Sequence, residues 1–100
     1  MLFVGVIIQS SSEAYVGNNV NITCQSDTQT EKIEWFIHGR EEVLPAVEMT
    51  QRLILSFNPV NDSVHGTIYT CRVTRNGGEA EQNFTMNVKG KEQQYMTVNV

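Results

Sequence analysis

The sequence predicts an all-β chain folded as a sandwich of two antiparallel sheets. Two observations carry that expectation. Cys24 precedes Trp35 by eleven residues, Cys71 follows it by thirty-six, and Tyr69 stands two residues before Cys71. Around each of these residues apolar and polar positions alternate with a period of two, which marks a strand with one buried face. Forty per cent hydrophobic content over 100 residues is enough for one domain with a real core, and too much for a disordered chain.

The elements follow in order. Leu2-Phe3-Val4-Gly5-Val6-Ile7-Ile8 is an apolar run. It is far short of the roughly 20 residues of a membrane span. No Lys or Arg precedes it, so it lacks the basic start of a signal peptide. Residues 3–8 are therefore read as a first strand rather than a signal-peptide remnant. Ser10-Ser11-Ser12 kinks the chain, 13–16 continue the strand, and Gly17-Asn18-Asn19 is turn chemistry. Val20, Ile22 and Cys24 alternate with Asn21, Thr23 and Gln25 as a second strand, and a polar loop spans 27–30. Ile33, Trp35 and Ile37 point inward on the next strand, with Glu34, Phe36 and His38 outward. Val43-Leu44 makes a short piece broken by Pro45, and 47–50 form a weak edge strand.

Leu53, Leu55 and Phe57 line a further strand that ends at Asn58-Pro59, after which Val60 plugs the end of the sandwich. Tyr69, Cys71 and Val73 alternate on the penultimate strand. Asn76-Gly77-Gly78 suits a tight hairpin into a last strand whose inward residues are Phe84, Met86 and Val88. Residues 1–90 are thus read as one domain. Residues 91–100 are a linker or the start of a following domain, with a strand-like stretch at 95–100.

The net charge of -4 argues against a nucleic-acid footprint, and no basic run suggests an anionic membrane surface. Two cysteines could be a disulfide, a metal pair or redox thiols. A structural zinc site takes four ligands at close spacing, and only His38 and His65 could join Cys24 and Cys71. The same two histidines could in principle serve a nucleophile, but no Gly-x-Ser-x-Gly or His-Glu-x-x-His pattern occurs. Asp27, Glu31, Asp62 and Glu79 form no calcium-loop pattern. No catalytic residue, metal or cofactor is assigned.

Cys24, Trp35, Tyr69-Thr70-Cys71, Gly17, the pair Trp35-Phe36 and Leu53-x-Leu55 resemble the immunoglobulin superfamily over about residues 3–88. The Cys24–Cys71 interval is similar to the I-set or C2 type, since a variable-type domain needs some twenty more residues. The resemblance implies a Greek-key immunoglobulin-like sandwich with one disulfide between the sheets, joining Cys24 to Cys71. It implies Trp35 packed on that disulfide and Tyr69 in a corner whose hydroxyl bonds back to the chain. The chain departs from the family before the second Cys: Gly66 comes one residue early and no Asp takes the expected place, which leaves Asp62 or His65 as substitutes.

The resemblance also implies an extracellular or cell-surface recognition module that binds protein, homophilically or heterophilically. It is expected to be one domain of an adhesion molecule or receptor. Strands 3–8 and 84–88 are edges that would allow a weak homodimer. The alternatives are an intracellular module of a filament array, with its thiols reduced, and a passive spacer. The sequons at Asn21, Asn61 and Asn83 fit a secreted glycoprotein. The candidate binding surface is the outer face carrying Phe36, His38, Arg72 and Thr74, where an outward aromatic beside an Arg has the composition of a hot spot. On this reading Phe36→Ala weakens partner binding by about 1 kcal/mol or more and leaves the thermal midpoint unchanged. The polar loop tips at 27–30 and 75–79 are the second candidate surface.

Overall fold

In the computed structural model, residues 5–26, 32–75 and 78–90 are described. The strands are β1 (Val6–Ser10), β2 (Ala14–Tyr15), β3 (Val20–Ser26), β4 (Lys32–Ile37), β5 (Val47–Met49), β6 (Arg52–Phe57), β7 (Ile68–Arg75), β8 (Gly78–Thr85) and β9 (Val88–Lys89). They form a four-stranded sheet in the order β1-β3-β6-β5, a three-stranded sheet β4-β7-β8, and a parallel pair β2-β9. All pairings in the two larger sheets are antiparallel. The loop at 27–30, the hairpin tip at Asn76-Gly77, the start of the first strand at 3–4 and the stretch 95–100 lie outside the described residues.

The period-two alternation has its physical consequence on β3. Val20, Ile22, Cys24 and Ser26 are buried, Asn21 is exposed, and Thr23 and Gln25 are half-buried. The inward rows of both sheets meet in one core, in which Val20, Ile22, Trp35, Val73 and Met86 have essentially no exposed surface. Two links cross between the layers there. The Cys24–Cys71 disulfide joins β3 to β7 with the Cα atoms 6.4 Å apart. The Trp35 Nε1–H donates to the Leu53 carbonyl on β6 at 3.0 Å, so the indole keeps its hydrogen bond inside the core.

Val60 closes one end, as its position predicts. It is buried; Gly17 N–H donates to its carbonyl at 2.9 Å, and its own N–H donates to the Asn18 carbonyl at 2.8 Å. Gly17 adopts φ +93°, a left-handed conformation that glycine takes without a Cβ clash.

One expectation is corrected. The stretch 84–88 is not one strand. β8 ends at Thr85, and Met86 bonds instead to the corner before β7: its N–H donates to Thr67 and its carbonyl accepts from Gly66. Beyond it, β9 pairs in parallel with β2, Ala14 opposite Val88. Val43-Leu44 is the short piece expected before Pro45: Val43 bridges to Phe36, and the Leu44 N–H donates to the Trp35 carbonyl at 2.8 Å.

The irregular corner before β7 is held by side chains. Asn61 Oδ1 accepts from the Ser63 N–H at 2.8 Å and from the Ser63 hydroxyl, capping a short 3-10 turn at Asp62–Val64. His65 Nδ1 accepts the Val88 N–H at 2.9 Å and ties the corner to β9. Asp62 and Arg52 are both exposed and form no buried pair with each other. Tyr69 packs edge-on against Phe57 with ring centroids 5.4 Å apart. Burial pushes its hydroxyl above the ordinary tyrosine range, against the opposing effect of a hydrogen bond with the Thr67 side chain.

Candidate protein-binding face

The outer face of β4-β7-β8 is a grid set by the strand register. Lys32, Thr74 and Glu79 form one row; Glu34, Arg72 and Glu81 the next; Phe36, Thr70 and Asn83 the third. His38 extends β4 beyond these rows, its N–H donating to the Ile68 carbonyl at 2.8 Å. Each of these side chains points outward because its strand neighbours point into the core.

Arg72 organises the middle of the grid. It stands opposite Glu34 but reaches diagonally over Phe36, with its guanidinium carbon 4.5 Å from the ring centroid. Its Nε–H donates to Glu81 at 2.8 Å, and Glu79 lies at 3.9 Å. The hydrogen bond to Glu81 raises the Arg72 pKa above its ordinary value. Phe36 therefore occupies the expected face but is not exposed. It retains 4% of its surface, with Arg72 across the ring and Val43 bridged to its backbone. This corrects the reading of an open aromatic, because the period of two specifies where a side chain points and not what lies over it.

A second chain of contacts crosses the three strands. Thr70 Oγ1 donates to Asn83 Oδ1 at 2.8 Å. The hydroxyl has a single proton, so it accepts from His38 Nδ1 at 3.2 Å, and His38 carries a hydrogen on that nitrogen. Around Phe36 and Thr70 lies a shallow depression of about 180 Å³, lined also by His38, Arg40, Glu41, Arg72 and Glu81.

The structure thus brings Phe36, His38 and Arg72 together. Thr74 belongs to the far row, between Lys32 and Glu79, and does not line the depression. Thr70, Arg40, Glu41 and Glu81 were not singled out from sequence. Thr70 was within reach, since the alternation that turns Arg72 outward turns Thr70 outward too. Arg40 and Glu41 lie in a turn, where no periodicity applies. Asn21, Asn61 and Asn83 are all exposed. Among the described residues no three His, Cys, Asp or Glu side chains converge on a metal position, and no helix is long and apolar enough to cross a membrane.

A family model described as immunoglobulin domain matches residues 5–100, and the chain belongs to that family. No curated protein matches. Among solved structures, the full ectodomain of mouse nectin-like molecule 4 is similar at 16% identity and TM-score 0.65, over 85% of this chain and 33% of that one. A twitchin kinase fragment from C. elegans is similar at 18% identity and TM-score 0.64, over 88% of this chain and 21% of that one. The Dscam1 Ig7 domain aligns at 14% identity and TM-score 0.66, over 86% of this chain and 98% of that one. The chain therefore spans about a third of the nectin-like ectodomain and about a fifth of the twitchin fragment. At these identities the likeness is one of fold.

Proposed function

We propose that this domain is a non-catalytic recognition module of an extracellular or cell-surface protein, and that it binds a protein partner through the outer face of β4-β7-β8. The observation that carries the reading is the Arg72–Phe36 stack. An Arg held rigid by Glu81 above an aromatic ring, beside a shallow depression, loses little side-chain freedom when a partner covers it. A typical interface buries about 800 Å² on each partner, which one sheet face of this size supplies. The fold shared with a nectin-like ectodomain, the Cys24–Cys71 disulfide and the three sequons support an oxidising, secretory setting.

The test is sedimentation equilibrium of the secreted domain, and binding of a labelled tetramer to a panel of cells, each with Arg72→Glu and with Arg52→Glu as a control on the other sheet. Association lost with Arg72→Glu and kept with Arg52→Glu supports the face. Association indifferent to Arg72→Glu overturns it. A reversible dimer makes the recognition homophilic; a strict monomer that labels cells makes it heterophilic.

The fold shared with the twitchin fragment favours a second reading, an intracellular module of a filament-type array. Thiol titration of native material separates the two, since two free thiols on the folded chain belong to the second.

A further inference from the structure

Of the three sequons, Asn83-Phe84-Thr85 alone places its asparagine on the face just described. Asn83 is exposed on β8, opposite Thr70 and two residues from Glu81. Its amide has a set orientation. Oδ1 is taken by the Thr70 hydroxyl at 2.8 Å, and Thr70 is in turn held by His38. The amide oxygen is thereby turned toward the sheet and Nδ2 away from Thr70. A sugar attached at Nδ2 replaces one N–H and leaves Oδ1 in place, so the His38–Thr70–Asn83 chain survives the modification.

We infer that Asn83 carries an N-linked glycan that screens the β8 half of the binding face and confines docking to the β4 half. The inference rests on the secretory reading above. The donor is a polyprenyl-diphosphate oligosaccharide. The bond formed joins Nδ2 to the anomeric carbon of the first sugar. The bond broken joins that carbon to the diphosphate oxygen, which leaves with the electron pair, and the Nδ2 proton is lost to a base. Strands lie about 4.8 Å apart and residues two apart on one strand about 7 Å, so the glycan stands beside Glu81 and roughly 10 Å from Phe36. His38, Arg40 and Glu41 remain open on the β4 side.

The test uses the chain expressed through a eukaryotic secretory pathway. Thr85→Ala removes the sequon and keeps the Asn83 side chain; Thr85 is exposed, so the fold is retained. Asn83→Gln is the second variant. Glycopeptide mass mapping reads occupancy, and carbodiimide labelling of carboxylates reads shielding. The expected result is a glycan on the Asn83 peptide, loss of one glycan's mass in Thr85→Ala, increased labelling of Glu81 in that variant, and unchanged labelling of Glu41. A bare Asn83 beside an occupied Asn21 or Asn61 overturns the inference and leaves the binding face untouched. Glu81 labelling that ignores the glycan overturns the screening. Three bare sequons on secreted material overturn the inference and withdraw the sequon support for a secretory protein.

Discussion

The guanidinium of Arg72 covers the ring of Phe36 at 4.5 Å, and the ring beneath keeps almost no contact with solvent. Phe36 therefore both points away from the main core and is packed. What the face offers a partner is the Arg72 edge and the polar side chains around the depression on its β4 side rather than an open aromatic.

Phe36→Ala is accordingly expected to destabilise the fold by about 3 kcal/mol, the lower end for a buried aromatic, because one side of the ring rests on a movable side chain. The stack itself is read by a double-mutant cycle of Phe36→Leu with Arg72→Met in urea. A coupling of about 0.5–1 kcal/mol is expected. A coupling near zero would leave Arg72 as a lid that adds no energy.

Trp35→Phe removes the indole donor to the Leu53 carbonyl and leaves that carbonyl with only its place in the β3–β6 ladder, opposite Cys24. The expected loss is about 1 kcal/mol from the lost hydrogen bond, with more from the smaller ring. An unchanged urea midpoint would mean that water or another donor reaches Leu53.

The disulfide closes a segment with a sequence separation of 47 residues. In the chain-entropy model its removal costs about 4 kcal/mol. The double variant Cys24→Ala, Cys71→Ala should show this in the thermal midpoint. A fall of only a few tenths of a kcal/mol would place the stability in the core packing alone.

Glu13 accepts from Lys89 Nζ at 2.6 Å and joins the β2 end of the chain to β9, 76 residues away. The hydrogen bond to Lys89, then its charge, holds the Glu13 carboxyl below the ordinary range. A depressed folded-state pKa means that this contribution is present above the ordinary carboxylate range and is lost as pH falls through the depressed value. Glu13→Gln should lower the thermal midpoint near neutrality, with the difference closing in strong acid and shrinking in high salt. A difference that does not depend on pH would point to packing rather than charge.

The strands were legible because their signal is local. Val20-Asn21-Ile22-Thr23-Cys24 and its counterparts state their period within five residues, and a strand with one wet face has no other stable arrangement. Turn chemistry at Gly17-Asn18-Asn19 and Asn58-Pro59 marked the boundaries for the same reason. Within 84–88 the pattern misled, since Phe84, Met86 and Val88 all turn inward although the ladder changes partner at Met86. Inward periodicity reports burial, and burial does not reveal which strand supplies the hydrogen bonds.

By itself, the sequence determined the fold class, the order of the strands and the set of residues that enter the core. All of these rest on short-range alternation and on the spacing of Cys24, Trp35 and Cys71. Only the tertiary structure decided what lies over each outward residue: Arg72 over Phe36, Thr70 between His38 and Asn83, Lys89 against Glu13, Val88 on His65. These contacts join residues far apart along the chain. They depend on the register between neighbouring strands, which is settled by the packing of the whole sandwich and has no local signal in the residues that make them.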